Sequence, residues 1–490
     1  MKRQTAQRGA VRTNCIAADS PNDLRDAWRG IARRRASNAS LLLSCSMPQA
    51  ATPRPPGPKP HFLIGNFPLG SADPLALFGK WAREFGDIFY YRAGWIQVYF
   101  LNHPDYIESV LVSNHHNFTK DRVLQNSRWF LGDGLLTSEG PQWMRQRRLS
   151  QPAFHRERIA SYARTMTDYA EEMMGHWRNG ETRDIHQQMM RLTVRIVVKA
   201  LFDVAVTEES EKISTALNVI MQHGTGGKMV LPAFIRYLPI PTVLNVRKAI
   251  RQLDEVVYAI IRQRRGSESD TGDLLSMLLQ AEDQDGSRMT DRQLRDEVMT
   301  FLLAGHETTA LSLSWIWYLL GQHPEAERKL HEEIGQVLSG RTPKVEDLAR
   351  LPYTERVVKE AMRLYPPAWG LGRTAIKDFE IAGYHVPAGS NVVMSQWVMH
   401  RDPRYYSRPE EFCPDRWSGN PSLPRFAYFP FGGGPRLCIG AAFAMMEATL
   451  LLATIAQRFR FQLVANHPVV PTPSITLRPK DGIRVVVQHR

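Results

Sequence analysis

A single cysteine follows a glycine-rich stretch near the carboxyl end of the chain. Residues 431–440 read Phe-Gly-Gly-Gly-Pro-Arg-Leu-Cys-Ile-Gly, and an apolar helical pattern begins directly after them. Glycines let the backbone turn tightly and approach a flat group, and Pro435 stiffens the turn. Cys438 then reaches a helix N-terminus, where unpaired N–H groups and the helix dipole favour a thiolate. The position predicts a metal ligand or a nucleophile.

Two simpler interpretations of this loop are weaker. A lone cysteine is usually a small, buried apolar residue. A glycine-rich loop before a helix can also bind phosphate, but the expected Lys-Ser or Lys-Thr pair is absent and no G-x-G-x-x-G follows a clear strand. The glycines together with Arg436, Cys438 and Gly440 form a more specific signature than either interpretation requires.

A long helical pattern over residues 290–321 carries a second polar stretch. Thr290 and Gln293 form a capping box at its start, and Pro324 follows its end. The 32 residues of this pattern would span about 48 Å, enough to cross a domain. Residues 304–309, within it, read Ala-Gly-His-Glu-Thr-Thr.

This polar stretch predicts a local distortion of the helix. Thr308 can donate a hydrogen bond to the Ala304 carbonyl, and Gly305 lowers the energetic cost of bending there. An accessible groove at this point is one interpretation. A polar interruption in an otherwise buried helix is the other.

Two further pairs of side chains are weak signals when taken alone. Glu360 and Arg363 stand at i and i+3 on one helical face, where an isolated pair is usually a surface bridge worth about 0.5 kcal/mol. Trp143 and Arg147 are four residues apart and could hold a carboxylate between them. An amphipathic surface helix would produce the same spacing.

Taken together, these motifs resemble those of the cytochrome P-450 monooxygenases. The pattern F-x-x-G-x-R-x-C-x-G in residues 431–440 resembles the haem-binding loop of that family, which implies that Cys438 is the axial ligand of haem b. Phe431 and Gly440 would then lie against the porphyrin. Residues 304–309 are similar to the family's oxygen-binding motif. By that resemblance, Ala304 and Gly305 line the groove, Thr308 supports bound dioxygen and Glu307 relays protons through water.

The resemblance also implies roles for more distant residues. Glu360 and Arg363 would join Arg416, in the stretch Phe-Cys-Pro-Asp-Arg-Trp at 412–417, in a structural triad that braces the cysteine loop. Cys413 would be inert. The residues expected to anchor the two haem propionates are Trp143, Arg147, Arg373, His400 and Arg436. His400 could equally be a packed histidine whose ring is satisfied internally.

The fold that must position these residues is mainly α with minor β, a single large helical haem domain with small sheets. Residues 1–52 are expected to be a basic, disordered leader, residues 53–60 a stiff Pro-rich segment, and residues 61–490 the haem-thiolate monooxygenase domain. The helical patterns cover 143–154, 157–178, 189–202, 253–264, 290–321, 324–338 and 440–459. Strand patterns cover 87–102 and 379–393, and a last hairpin is expected around residues 479–482.

Composition excludes several classes of protein. The 490 residues are 43% hydrophobic, so the chain can bury a core, and its mean hydropathy is −0.33 with no run of 18 apolar residues. A transmembrane anchor is therefore not expected. About half of the net charge of +13 falls in residues 1–46, which hold nine Lys or Arg against three Asp. No basic run with interleaved aromatic residues follows, so nucleic acid is not expected as a partner.

The four cysteines form neither a zinc pair nor a disulfide framework, which predicts a reducing compartment. We expect a cytoplasmic protein. Alternatively, the Arg-rich residues 1–46 are a mitochondrial-type leader, or Met47 is the working start in place of Met1.

We therefore expect a soluble, monomeric monooxygenase that inserts one atom of O2 into a hydrophobic fatty-acid, terpenoid or steroid-like substrate. A ferredoxin or flavodoxin with its NAD(P)H-dependent reductase would supply electrons, docking near a basic patch of Arg145, Arg148 and Arg436. The alternatives are a haem-thiolate isomerase or peroxygenase, and a non-catalytic haem gas sensor. The pocket walls are expected at 124–136, 224–244, 303–308 and 368–371 and near Ile475.

Overall fold

A computed structural model describes residues 54–62, 64–66, 73–202, 213, 215–217, 219–220, 237–266, 273–283, 286–419 and 421–490. The predicted leader, and residues 224–236 of the predicted pocket wall, lie outside these residues. The Pro-rich segment is described from Arg54, and residues 54–60 form neither helix nor strand. No helix in the described part of the chain is long and apolar enough to cross a bilayer.

Helices make up most of the described structure. They are α1 (Pro74–Phe85), α2 (Pro104–Glu108), α3 (Arg122–Asn126), α4 (Arg128–Leu131), α5 (Gly140–Ser150), α6 (Arg156–Ser161), α7 (Ala163–Gly175), α8 (Ile185–Phe202), α9 (Pro241–Arg265), α10 (Leu274–Gln280), α11 (Asp291–Leu320), α12 (Pro324–Leu338), α13 (Pro352–Leu364), α14 (Gln396–Met399) and α15 (Ala441–Ala456).

The strands form small, separate sheets. They are β1 (Ile88–Ala93), β2 (Ile96–Leu101), β3 (Phe118–Lys120), β4 (Thr182–Asp184), β5 (Leu371–Ala375), β6 (Phe379–Ile381), β7 (Tyr384–Val386), β8 (Asn391–Met394), β9 (Phe459–Leu463), β10 (Pro471–Pro473), β11 (Leu477–Pro479) and β12 (Arg484–His489). The largest sheet has the order β1-β2-β8-β5-β3, and a three-stranded sheet has the order β4-β12-β9. The mainly helical fold with minor sheets is confirmed.

Helix α11 is the central element. Its capping box is present as predicted, because the Thr290 hydroxyl accepts from the Gln293 N–H and the Gln293 side chain accepts from the Thr290 N–H. Apolar side chains point in most directions around the helix, so it is buried along most of its length. It packs closely on α8, where a side chain at Gly305 would come within 3.1 Å of Val197.

Most predicted elements are confirmed, with three corrections. The pattern over 157–178 forms two helices, α6 and α7, which are separated at Tyr162. The pattern over 379–393 forms one short hairpin, β6-β7, whereas β8 pairs with β2 and β5 in the large sheet. The expected hairpin around residues 479–482 is wrong, because β11 pairs back with β10, and β12 pairs with β9 and β4. Buried Val485 and Val487 on β12 require partners on a sheet that covers the core.

Candidate active site

The cysteine loop turns because glycine is needed at two points. Gly432 and Gly434 have φ of +72° and +67°, a region that favours glycine. At Gly434 a side chain would also collide with the Leu111 carbonyl oxygen, 1.8 Å from the Cβ position. The Cys438 N–H donates to the Phe431 carbonyl at 3.1 Å, which closes the loop just before α15 begins. The glycines therefore act as the sequence predicted.

Cys438 is exposed to solvent just before α15 begins, and Ile439 and Gly440 beside it are half-buried. The protein around it raises the pKa of the thiol by desolvation, while a hydrogen bond from the Gly440 N–H and the nearby Arg147 guanidinium lower it. The helix N-terminus alone thus does not make the sulfur a thiolate. A bound metal cation would do so, because coordination deprotonates a thiol.

Gly440 shows that open space lies beside this sulfur. Its φ of −90° is one that any residue adopts, and a Cβ there would meet only the ring of Phe154, at 3.8 Å. Neither the backbone nor the protein packing therefore requires glycine at this position. A flat group lying against the start of α15 would require it.

One face of α11 is accessible at the position where the sequence offered a groove. Ala304 is exposed and Thr308 is half-buried, whereas Leu303 and Thr309 beside them are buried. The Thr308 hydroxyl donates to the Ala304 carbonyl at 2.7 Å, as expected from the sequence. Residues four apart share one helical face, so this face of α11 borders open space.

Aromatic packing joins this helix to the cysteine loop. The Phe301 ring of α11 lies 5.4 Å from the Phe154 ring, which in turn faces Gly440. Ile439, beside Cys438, packs against the same apolar cluster as Phe301. The groove and the cysteine are therefore parts of one region.

Glu307 has partners that the sequence did not reveal. Its carboxyl is 1% exposed, accepts a hydrogen bond from the Thr476 hydroxyl at 2.9 Å and forms an ion pair with Arg478 on β11. Burial raises the pKa of Glu307, and Arg478 and Thr476 lower it. The net shift of the pKa is upward, so burial favours the protonated carboxyl.

Three cations gather where β3 pairs with β5. Lys120 and Arg373 stand directly opposite each other in this antiparallel pair, and both are buried. Arg436, from the cysteine loop, forms an ion pair with Glu139 nearby. We call Lys120, Arg373 and Arg436 the cation cluster. Like charges directly opposite each other destabilise a sheet. Negative charge nearby is therefore needed to offset the repulsion between these cations.

The nearby carboxylates of Glu139, Asp121 and Glu297 compensate the charge of the cation cluster only in part. The Lys120 ammonium donates to the Leu135 and Ser138 carbonyls at 2.8 and 3.1 Å, but burial and Arg436 still lower the pKa of Lys120 to about 6. Burial and Arg436 likewise lower the pKa of Arg373 to about 10. A dianionic ligand would reverse both shifts. The sequence analysis missed Lys120, because only the strand register places it opposite Arg373.

The predicted pair on α5 lies beside the cysteine loop. The guanidinium of Arg436 stacks over the Trp143 ring at 4.4 Å, and Arg147 donates to the Leu437 carbonyl at 2.8 Å. The structure therefore brings both side chains of this weak motif to the same region as Cys438 and the cation cluster.

The three side chains of the predicted structural triad lie together, with Glu360 and Arg363 buried and Arg416 half-buried. Arg363 binds both carboxylate oxygens of Glu360 at 2.9 Å, and Arg416 donates to the same carboxylate at 2.8 Å. The Cys413 N–H and the Trp417 indole N–H add donors at 2.9 Å each, neither of which the sequence analysis included. We call Glu360, Arg363, Arg416 and these two donors the Glu360 network.

The Glu360 network reaches the cysteine loop through aromatic side chains. The rings of Trp417 and Tyr428 are 4.6 Å apart, and the Tyr428 hydroxyl donates to the Lys359 carbonyl at 3.0 Å. Phe429 and Phe431 follow directly in the chain. The network therefore contacts the segment that leads into the loop.

The structure places His400 in this supporting region and satisfies only one of its two ring nitrogens. Its ring is fully buried, and Nε2 accepts from the Phe429 N–H at 3.0 Å. Burial, aided by Arg363 and Arg401, lowers the pKa of His400 to about 3, so the ring is neutral. Because Nε2 accepts, Nδ1 carries the ring proton, and it is buried without a partner among the described residues. His400 therefore retains a free donor, and its role at a propionate stays a prediction.

The basic patch expected from Arg145, Arg148 and Arg436 is not one exposed surface. Arg145 and Arg148 share the carboxylate of Asp283, whereas Arg436 turns towards Glu139 and the cation cluster. The free charge on this face is therefore smaller than the sequence predicted.

These features fit a flat, metal-centred group with two carboxylates, and comparison with known proteins agrees. A model of the cytochrome P450 family matches residues 55–486. Cyclooctatin synthase from Streptomyces melanosporofaciens is 38% identical over 420 residues, 85% of this chain and 91% of that protein. Pentalenene oxygenase from Streptomyces avermitilis is 36% identical over 409 residues, 83% of this chain and 91% of that protein.

Solved structures show the same similarity. The crystal structure of the cytochrome P450DA heme domain has a TM-score of 0.80 and 28% identity, covering 90% of this chain and 98% of that one. Cyanobacterial CYP120A1 with bound retinoic acid has a TM-score of 0.79 and 26% identity, covering 90% and 100%.

The class that fold and site define is the haem-thiolate monooxygenases: the cofactor is haem b with an axial cysteine ligand, and one oxygen atom from O2 enters a hydrophobic substrate. The chain belongs to the cytochrome P450 family.

Proposed function

We propose that this monooxygenase oxidises cyclic terpenoid hydrocarbons or alcohols. The support is the naming of its relatives after such compounds, among them cyclooctat-9-en-7-ol 5-monooxygenase from Streptomyces melanosporofaciens at 38% identity over 396 residues. The exposed Ala304 on α11 adds a small apolar surface next to the groove. A rigid hydrocarbon can fill such a surface without leaving buried polar groups unpaired.

We assign the following roles to the chain's own residues. Cys438 would bind the haem iron, and Gly440, Phe431, Ala304 and Gly305 would lie against or above the macrocycle. The two propionates would be held by Arg373, Arg436, Trp143, Arg147 and Lys120. The single observation that carries this assignment is the deficit of negative charge in the cation cluster beside an exposed cysteine.

When bound, haem supplies the activation of dioxygen. The protein's part is to exclude water, orient the substrate and deliver protons. Thr308 would hold a proton at its hydroxyl, which already donates to Ala304, and Glu307 would replace that proton. Burial favours the protonated form of Glu307, which a proton donor requires, and its contact with Arg478 opposes that shift of the pKa.

We also propose that a ferredoxin or flavodoxin with its NAD(P)H-dependent reductase supplies the electrons to a monomeric enzyme in the cytoplasm. Arg145 and Arg148 on α5 would contact an acidic donor, at reduced strength because Asp283 pairs with both. Arg436 would act within the haem site.

The test begins with the reduced, carbon monoxide-bound holoprotein, whose Soret band should be red-shifted by thiolate ligation. Cys438→Ser should remove the shift, whereas Cys413→Ser, in the Glu360 network, should retain it. Pentalenene and cyclooctat-9-en-7-ol are then titrated and the haem spin state is followed. A spin shift with these terpenoids, and none with dodecanoic acid or testosterone, supports the proposed substrate class. The reverse pattern would contradict it.

A further inference from the structure

A buried histidine on α11 lacks hydrogen-bond partners. His306 is 1% exposed, and neither of its ring nitrogens bonds to any group among the described residues. Buried polar groups are nearly always satisfied, either by protein or by ordered water. An imidazole has one donor and one acceptor, so this site fits one or more buried water molecules.

The groups around His306 are polar on several elements. Arg478 on β11 and His186 on α8 lie close enough to affect its charge, and with burial they lower the pKa of His306 to about 3. Glu307 follows it on α11 and pairs with Arg478. The ring is therefore neutral, in a polar region that begins beside the catalytic groove.

The outer end of this region reaches solvent. His186 is half-buried, and its Nδ1 lies 3.2 Å from the Ser314 hydroxyl. The His186 backbone N–H donates to the Asp184 carboxylate at 3.0 Å, and Asp184 is also only partly buried. Burial lowers the pKa of His186 to about 4 against the opposing effect of Asp184.

We propose that His306 carries protons from solvent near His186 to Glu307, through water held at its two ring nitrogens. The inference rests on the proposed monooxygenase mechanism. Each turnover combines substrate, O2, two electrons and two protons to give the oxygenated product and one water. At His306, a proton enters at one nitrogen and an equivalent proton leaves the other, so the ring stays neutral with its tautomer exchanged.

This route would have an advantage over one through the substrate side. The face of α11 with Ala304 and Thr308 borders the groove that an apolar substrate fills and dries. His306 is buried away from that face, against β11 and α8. Proton supply through it would therefore be the same with or without substrate in the groove.

The test uses holoenzyme with a plant-type ferredoxin, its reductase and NADPH, without organic substrate. Oxygen reduced to water takes four electrons and four protons, whereas oxygen released as peroxide takes two of each. We expect His306→Phe to lower the ratio of water to peroxide formed by about fivefold, a fraction of what a direct general acid contributes. The variant should also alter the solvent isotope effect on oxygen consumption.

His331→Phe is the control, because His331 on α12 is a half-buried histidine whose pKa burial also lowers, to about 4. It should leave the ratio unchanged. His306→Gln keeps a donor and an acceptor but cannot exchange tautomers, so it should remain impaired. Full recovery with glutamine would overturn the proposal, as would an unchanged ratio in His306→Phe. If that variant fails to fold, His186→Phe at the outer end should show the same direction of change, and no change there overturns the proposal.

A double variant separates this route from a structural effect. Because Glu307 would receive the proton from His306, adding His306→Phe to Glu307→Gln should change the ratio by less than about twofold. Wild-type protein without a thiolate-type carbon monoxide spectrum would instead contradict the proposed function. The two failures are therefore distinguishable.

Discussion

The Glu360 network and the cation cluster are both buried, charged and next to the cysteine loop, but they differ in how their charges are matched. Glu360 accepts from two arginines, an indole and a backbone N–H, so its carboxylate is saturated. In the cation cluster, Lys120 faces Arg373 across a strand pair and its ammonium form is disfavoured. A saturated network supports structure by itself, whereas an undercompensated one is suited to a ligand of opposite charge.

The largest effect should come from breaking the saturated network. Glu360→Gln would leave two buried guanidinium groups short of a counter-charge, and we expect the free energy of unfolding to fall by about 3–5 kcal/mol. Denaturant unfolding checks this. The control is Glu410→Gln, because Glu410 is exposed in its ion pair with Arg401. This substitution should lower the free energy of unfolding by less than about 1 kcal/mol. Equal losses in the two variants would contradict the comparison.

A substitution in the cation cluster should change the stability of the haem-free protein in the opposite direction. Lys120→Met removes a buried cation from beside Arg373, so the haem-free protein should be as stable as the wild type or more stable. Haem should dissociate about tenfold faster, equivalent to about 1.4 kcal/mol, which transfer to apomyoglobin measures. The exposed Lys377→Met is the control and should change neither quantity. If the Lys120→Met protein were less stable without haem and retained haem normally, the proposed difference between the cation cluster and the Glu360 network would be refuted.

Glu447 on α15 provides an intermediate case, because it is buried with only part of its carboxyl satisfied. Thr309 of α11 bonds to it, one oxygen has no partner among the described residues, and burial raises its pKa to about 8. The native state therefore binds a proton that the unfolded state releases above about pH 4.5. Stability from this group is present at low pH and is lost as the pH rises towards 8.

Glu447→Gln should remove the loss of stability that Glu447 causes as the pH rises. Between pH 5 and pH 8, the variant should gain about 1 kcal/mol or more in unfolding free energy relative to wild type. Urea unfolding at the two pH values measures the difference. Glu380→Gln, at an exposed position, should follow the wild-type pH dependence. A variant whose relative stability is constant over this range would show that Glu447 is ionised in the fold.

The smallest effect should come from surface charges that are paired but exposed to solvent. Reversing Arg145 and Arg148 to glutamate should slow reduction by an acidic ferredoxin by about two- to threefold, mainly through the association rate and at low salt. Stopped-flow reduction under carbon monoxide measures this. Lys59→Glu, near β1, should have no such effect. A tenfold change would mean that Asp283 does not neutralise these arginines.

Sequence reasoning was most successful where a local pattern carries the structure. The capping box predicted the start of α11 to within one residue, and the periodic pattern over 324–338 matches α12. The glycines of the cysteine loop were predicted from their conformational freedom alone. It was less successful with the short strands, because β8 and β12 pair with strands that are distant in the chain, and β11 pairs back with β10.

The sequence by itself determined the reactive groups: a cysteine at a helix N-terminus, an alcohol that can bond back to Ala304, and the opposite charges of Glu360 and Arg363 at helical spacing. Each depends on residues a few positions apart, whose geometry the backbone sets locally. Only the tertiary structure decided what surrounds them. Arg478 on Glu307, Lys120 opposite Arg373 and the buried ring of His306 result from strand register and helix packing, where charge and burial are set by residues far away in the chain.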